Sequence, residues 1–473
     1  MSSYRKKVFS GIFVFSLAAL VSAAITERLF DVPLAEVGHF WLKTSASAGR
    51  RFLADWYTPN PIIFVASFVA CLAFVYAWHY VFVKPTNRVK LLTDLGYRVD
   101  DYSQPQHVNR KDAANMARKM KLIGDVPPVY PNGWYGVLES MYVKKAQAKY
   151  VTVIGQNLAV FRGEDGRAHI IDAYCAHLGA NLAIGGRVKG DCLECPFHGW
   201  QYRGDDGKCT KIPYAQGKVP EMAKVKSWPV MELNGWIYLW FHAEGAEPYW
   251  TPPEIPEITS GQYTYRGRTE HTINAHIEDI PENGADLAHL DAVHSPIIPA
   301  GSDLKSMYNS IWSFAKHEWH ATWGQYSEPD KHVGALELTH TMRLFGIRIP
   351  ILDVKVVAKQ IGPSIVYLEF NSVLGKGVFV QSLNPVEPLV QKMIHLCYFD
   401  WKIPTFVAKI FLIGEALQID RDIMIWNNKR YEGRPVFVKS VEDSQVQKHR
   451  RWYSQFYSEN SPRLKFQKDT LEF

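Results

Sequence analysis

The sequence predicts an α+β protein in which an N-terminal transmembrane anchor precedes two folded parts. Three observations carry that prediction. An uncharged apolar stretch lies within residues 1–90. Short apolar runs broken by turn signals fill residues 131–245, the pattern of a small antiparallel β domain. From 246 to 473, strand-like runs share the chain with two helical segments, an α+β pattern. Residues 91–130 read as a polar linker carrying Lys111, Arg118, Lys119 and Lys121, closed by Pro127, Pro128 and Pro131.

The anchor comes first. Trp56 to Val83 contains no Asp, Glu, Lys or Arg and exceeds the roughly 20 residues needed to span a bilayer. Tyr76, Trp78 and Tyr80 crowd its far end, and Lys84, Arg88 and Lys90 follow. Positive charge stays on the cytoplasmic side, so the large remainder is expected in the cytosol. Val8 to Thr26, preceded by Arg5, Lys6 and Lys7, reads either as a second anchor or as a cleaved signal ending near Ser22-Ala23-Ala24. Both readings give the same orientation. Lys and Arg number 53 against 47 Asp and Glu, a mild excess that suits anionic headgroups. No basic run is interleaved with aromatics, so nucleic acid is not an expected partner. Six scattered cysteines do not form a disulfide framework and fit a reducing compartment.

In the β domain, strands are expected at Tyr150–Ile154, Leu158–Phe161, His169–Ile171 and Trp236–Phe241. Two loops between them carry chemistry: Cys175-Ala176-His177 and Cys195-Pro196-Phe197-His198. Each offers one thiolate and one imidazole. Two cysteines on one iron and two histidines on the other make a Rieske [2Fe–2S] cluster, a one-electron relay. The competing reading is a Cys₂His₂ zinc site, to which the pair Cys192 and Cys195 lends some weight. The C-x-H and C-x-x-H pairing favours the cluster, because each loop then gives one ligand to each iron. Gly179, Gly185 and Gly186 let the backbone turn tightly beside it.

The third part supplies a destination for the electron. Strands are expected at Thr339–Phe345, Ile365–Phe370 and Val378–Ser382. Asp286, His289 and His294 form D-x-x-H-x-x-x-x-H. Two imidazoles and a carboxylate on one face of iron leave positions open for O₂, as in non-haem Fe(II) oxygenases. A five-residue spacing separates the histidines by about 140° around a regular helix. The helix must therefore distort or end there, and Pro296 marks an ending. Glu415, Asp420 and Asp422 lie in an expected helix, Phe411 to Trp426. With Leu412, Ile419, Ile423 and Trp426 as its buried stripe, Glu415 and Asp422 border the stripe and Asp420 sits farther round. Periodicity leaves Glu415 and Asp422 both open as the third ligand. Leu344, Phe345, Ile347, Ile349 and Ile351 are candidates to line an apolar pocket, or plain core. No G-x-G-x-x-G follows a strand, so no nicotinamide or flavin site is expected and electrons must come from a partner.

The segments CAHLGA and CPFHGWQY resemble the ligand loops of Rieske proteins. Together with D-x-x-H-x-x-x-x-H they resemble the Rieske non-haem iron oxygenases from about Trp134 to the C-terminus. The run from Asp422 to Lys429 resembles the ligand-bearing helix of the ketosteroid-hydroxylase branch, and Arg450 to Tyr457 resembles its C-terminal segment. That resemblance implies a helix-grip-like catalytic domain with Asp422 as third ligand to a mononuclear Fe(II). It implies that Asp286 bridges a cluster histidine and an iron histidine across a subunit boundary, hence a homotrimer. It places Asn283 beside the iron without ligating it. O₂ is the implied co-substrate, with NAD(P)H feeding a separate reductase. The whole set most resembles the animal cholesterol 7-desaturases of the Neverland type, which implies a sterol substrate, a product desaturated at C7–C8 and a membrane location at the endoplasmic reticulum. Two alternatives stand beside it: a Rieske monooxygenase hydroxylating another lipophilic substrate, and a Rieske electron carrier without catalysis. A carrier has no need of the second His/carboxylate site.

Overall fold

The computed structural model describes residues 61–97 and 109–464. The expected segment Val8–Thr26 and the start of Trp56–Val83 lie outside the described residues. The chain divides into two compact units, Met1–Tyr80 and Val81–Phe473. In the first, Pro61–Trp78 is helical, and the π-helical turn His79–Val83 that follows it runs on into the second. Val65–Val83 is long and apolar enough to cross a membrane, with mean hydropathy 1.7 and none of it buried.

The second unit is organised by a nine-stranded sheet. Its central path runs Tyr263–Ile273, Val390–Asp400, Gly375–Glu387, Ile365–Ser372, Val354–Ile361, Val333–Leu344 and Ala315–Gln325, each antiparallel to the next. The expected strands at 365–370 and 378–382 fall within it, and the one expected over 339–345 stops at Leu344, because Phe345 (φ 49°) begins a turn. A short strand, Thr86–Lys90, joins the edge in parallel with Tyr263–Ile273. Alternation along the strands decides what each face buries. Ile365, Tyr367, Val378, Val380, Ile394 and Leu396 face Trp134, Trp236, Tyr238 and Trp240 of the β domain. The intervening Phe370, Phe379, Cys397 and Phe399 face the helix Thr405–Trp426 through Ala408 and Leu412. Sandwiched on both sides, the central strands read as near-continuous apolar runs.

Three small antiparallel sheets make up the β domain. Ala148–Val153, Gln156–Arg162 and Ala168–Asp172 form one. The strand expected to reach Ile154 stops at Val153, because Ile154 (φ 50°) and Gly155 (φ 66°) make the turn. Arg187–Lys189, Cys192–Glu194, Gln201–Arg203 and Cys209–Lys211 form the second. The third pairs Gly133–Glu139 with Trp236–Phe241 and Val230–Leu233. Within residues 91–130, Arg110–Met120 is a helix capped by Asn109. Lys121 Nζ then donates to the carbonyl of Trp426 at 3.0 Å, so this stretch is tied to the C-terminal end of the long helix.

The helix Thr405–Trp426 begins six residues before its expected start at Phe411, directly after Pro404. Asp420, placed away from the buried stripe by periodicity, is 1% exposed. Its carboxylate is paired with Arg88 of the edge strand and lies 3.1 Å from His271 Nε2. The helix is therefore buried on two faces, one against the sheet and one along a cavity, which a single-stripe reading does not anticipate.

Candidate active site

The two β-domain loops are built alike. The amide of Gly179 donates to the carbonyl of Cys175 at 2.9 Å, and that of Gly199 donates to Cys195 at 3.1 Å. Both glycines have φ +72°, a region that side-chained residues rarely adopt. Each loop thus folds back four residues beyond its cysteine. Cys175 and Cys195 are buried, 5% and 2% exposed, whereas His177 and His198 are only half-buried. The imidazoles face one another with centroids 4.9 Å apart, and Trp200 stacks on His177 at 4.7 Å. Burial, with Cys175 alongside, holds the Cys195 thiol above the usual range.

This donor set fits a [2Fe–2S] cluster. His177 Nδ1 is buried with no hydrogen-bond partner, as a ligand atom facing a metal must be. Cys192 stands apart: its thiol contacts Asp191 and Thr210, which removes the CxxC argument for zinc. Tyr202 is a functional residue that reasoning from ligand spacing missed. Its hydroxyl accepts from the Ala176 amide at 3.1 Å and lies 3.1 Å from Cys175 Sγ, to which it would donate when that sulfur is a thiolate ligand. The available signal was its place in CPFHGWQY.

On the large sheet, helix Leu287–His294 ends at its second histidine, with Ser295 as C-cap and Pro296 beyond, as the five-residue spacing required. The rings of His289 and His294 reach round from the two flanks, with centroids 5.0 Å apart. Asp422 comes from the facing long helix, its Oδ1 3.2 Å from His294 Nε2. Among the described residues, these three are the one group of His, Cys, Asp or Glu donors whose ligand atoms all lie within 4.8 Å of one another.

The hydrogen bonds fix which nitrogens face inward. His289 Nδ1 donates to the main-chain carbonyl of Asp286, and His294 Nδ1 donates to Gln418 Oε1 at 2.8 Å. Both Nε2 atoms are left as lone-pair donors, the tautomer a metal ligand needs. Two neutral imidazoles and a carboxylate fit Fe(II). Asn283 Nδ2 lies 3.4 Å from His289 Nε2, beside the site. Asp286 caps the helix through its side chain, accepting from the His289 amide at 3.4 Å. Within one chain it is thus the Asp286 carbonyl, not its carboxylate, that orients His289.

Glu415, the other residue periodicity left open, stands apart from this group, 3.3 Å from His395 Nε2. Its side chain is 16% exposed, and that exposure is to the cavity. Burial, reinforced by Asp420, pushes its pKa up to about 8.

Gln418 and Arg421 were also missed. Arg421 is fully buried and donates to the carbonyls of Pro296 (2.8 Å), Ile297 (3.0 Å) and Gly301 (2.9 Å), and to Gln418 Oε1 (3.1 Å). It clamps the segment after His294 onto the helix bearing Asp422. Their spacing from Asp422, within one helical turn, was the available signal. Arg450 secures the turn bearing Asn283 from the other side, donating to Glu282 at 3.1 Å.

The triad forms part of the wall of a cavity of about 480 Å³, otherwise lined mainly by apolar side chains such as Leu338, Met342, Leu368 and Phe411. Of the five residues expected to line such a pocket, Ile351 does. Phe345 is 75% exposed on a turn, Ile347 is 69% exposed on the short strand Ile347–Arg348 beyond it, and Leu344 packs into a separate cluster around Met307.

A one-electron relay domain joined to a two-histidine, one-carboxylate iron site in an apolar cavity defines the Rieske oxygenase class. Residues 133–229 match the family profile Rieske [2Fe-2S] domain, and residues 239–457 match 3-ketosteroid 9alpha-hydroxylase C-terminal domain. The cholesterol 7-desaturase nvd of Xenopus laevis is 51% identical over 77% of this chain and 80% of its own length. The cholesterol 7-desaturase of Caenorhabditis elegans is 43% identical, over 86% and 94%. A probable 3-ketosteroid-9-alpha-monooxygenase oxygenase component of Rhodococcus rhodochrous is 29% identical, over 71% and 82%. The solved structure of Pseudomonas putida CBB5 NdmA with caffeine shares the fold, with TM-score 0.50 at 18% identity over 68% of this chain and 89% of that one. The chain belongs to the cholesterol 7-desaturase family of Rieske proteins.

Proposed function

We propose that this chain desaturates cholesterol at C7–C8, giving 7-dehydrocholesterol, with O₂ and electrons supplied by a separate NAD(P)H-dependent reductase. One observation carries the reading: His289, His294 and Asp422 converge in the wall of an apolar cavity of about 480 Å³, within the size range of sites that enclose a compact apolar ligand. The names of its relatives supply the sterol. Cys175, His177, Cys195 and His198 would hold the cluster, and His289, His294 and Asp422 the iron. When bound, the cluster supplies single electrons and the ferrous ion activates O₂.

The chain's own residues do the rest. The apolar walls bury the ring system and exclude water, so orientation comes from shape rather than from many polar contacts. Gln418 and the Asp286 carbonyl hold protons on the outward nitrogens of the two histidines, which keeps the inward ones as lone-pair donors. Asn283 offers an amide beside them without being a ligand. Across a homotrimer boundary, the Asp286 carboxylate would meet a cluster histidine of the next subunit. Val65–Val83 anchors the enzyme in the endoplasmic reticulum membrane, with the catalytic unit in the cytosol.

The test uses the full chain in membranes with a reductase and labelled cholesterol. A 7,8-dehydro product is expected, and a hydroxylated product in its place would favour the monooxygenase reading. Asp422→Ala should lose the iron beyond the cluster together with product, whereas Glu415→Gln should keep that iron. The reverse pattern would reassign the third ligand.

A further inference from the structure

The end of the large sheet that carries the cavity mouth is rimmed with exposed apolar side chains. Strand register fixes which connections share that end. Leu344 pairs with Ala315, Val354 and Gly375 both pair with Ser372, and Gly377 pairs with Phe399. The loops beyond these positions therefore emerge together. On them Phe345 and Val373 are each 75% exposed and Trp401 is 57% exposed. The long helix starts at the same end and presents Ile410, 65% exposed. Large apolar side chains gathered at adjoining tips mark an interaction surface. The rim is continuous with the cavity, since Ile351, Leu374 and Ile410 line the cavity and are themselves exposed.

The chain itself indicates what covers this rim. Strand Thr86–Lys90 runs parallel to Tyr263–Ile273 with Thr86 opposite Gly267, and Tyr263 pairs with Asp400. The start of the short strand therefore points toward the rim. Phe82, just upstream, packs edge-on against Phe406 of the long helix, with ring centroids 5.5 Å apart. Phe82 also belongs to the apolar segment Val65–Val83. Lys376, opposite Asn371, and Lys402, beside Trp401, lie at the same end of the fold, where they complement anionic headgroups. Asp353, in the loop with Ile351, is neutralised by Arg348 at 2.6 Å.

We propose that this rim docks into the surface of a lipid bilayer, so that the cavity mouth opens onto acyl chains and an apolar substrate enters without crossing water. The proposal rests on the membrane reading of Val65–Val83 and adds a second point of attachment to it.

The experiment places a dansyl side chain at position 345 or 373 of the full chain, with position 328 as comparator. Glu328 lies in the turn at the opposite sheet end, where Gln325 pairs with Gly334. The chain is reconstituted into phosphatidylcholine–phosphatidylserine vesicles whose acyl chains are brominated. Quenching at 345 and 373 at least about twofold stronger than at 328 is expected for side chains seated below the headgroups. Equal quenching at all three positions, with the chain floating on vesicles, would overturn docking and leave the anchor standing. A chain that does not float overturns both. Quenching that follows protein concentration instead of bromine content would assign the rim to a second copy, which also overturns the proposal. As an independent readout, Phe345→Asp with Val373→Asp should slow turnover of bilayer cholesterol several-fold. Turnover of cholesterol delivered in cyclodextrin should stay unchanged.

Discussion

The hydroxyl of Tyr202 illustrates how much of this site lies outside its ligands. It accepts from a main-chain amide and would donate to Cys175 Sγ when that sulfur is a thiolate ligand. A hydrogen bond to a cluster sulfur stabilises the reduced, more negative form. Tyr202→Phe is expected to lower the cluster's midpoint potential by on the order of tens of millivolts, read by potentiometric titration of its EPR signal. An unchanged midpoint would mean that the bond does not reach the sulfur. Ligand-type residues were legible in the sequence because thiolates and imidazoles at short spacing have few other uses. Tyr202, Gln418 and Arg421 were not, because a tyrosine, a glutamine or an arginine has many ordinary roles until its partner atom is known. Periodicity could not separate Asp422 from Glu415, which lie seven residues apart and so nearly on one helical face. The fold separates them by what each faces: His294 for one, His395 for the other.

At the scale of elements, the iron site is a joint between a short helix and a long one. Leu287–His294 has only 8 residues, too few to hold its own position. Arg421 holds the chain beyond it by donating to several main-chain carbonyls from within the core. Arg421→Met would leave those buried acceptors without a donor, at a cost of about 3 kcal/mol or more. The variant should lose the mononuclear iron on metal analysis while the cluster's EPR signal persists. Loss of both signals together would show that the clamp supports the whole chain rather than the joint. The long helix was legible in the sequence as an element but not in its extent or second buried face. Its first turns carry exposed apolar residues, and its Asp420 is buried only because Arg88, more than 300 residues away in sequence, meets it. No local pattern encodes that partner.

Across the whole molecule, buried histidines set the response to acid. Burial lowers His276 to about 4 and His395 and His449 to about 3. The unfolded chain takes up these protons as pH falls through about 6.5, while the folded chain refuses them. Glu278 and Glu415, raised by burial to about 7 and about 8, act in the opposite sense, favouring the fold as pH falls toward 4.5. The three rings outweigh them only below about pH 6.5, so stability should peak near that pH and then fall toward about 4. Denaturant midpoints measured between pH 7.5 and 4 check this; a midpoint that keeps rising below pH 6.5 would mean that the three rings take up protons inside the fold. The overall architecture was legible in outline, as β domain then α+β domain, because strand runs and turn signals are local. The order of strands in the large sheet was not, since pairing Thr86–Lys90 with Tyr263–Ile273 joins segments some 180 residues apart. That pairing bears on where the apolar segment Val65–Val83 could be cut away. A truncation placed just after the last basic residue, Lys90, would delete an edge strand of the catalytic sheet and leave the Asp420 carboxylate buried without its guanidinium, a costly arrangement. The cut that removes the apolar segment Val65–Val83 belongs before Thr86, because the residues that follow it are already part of the machine.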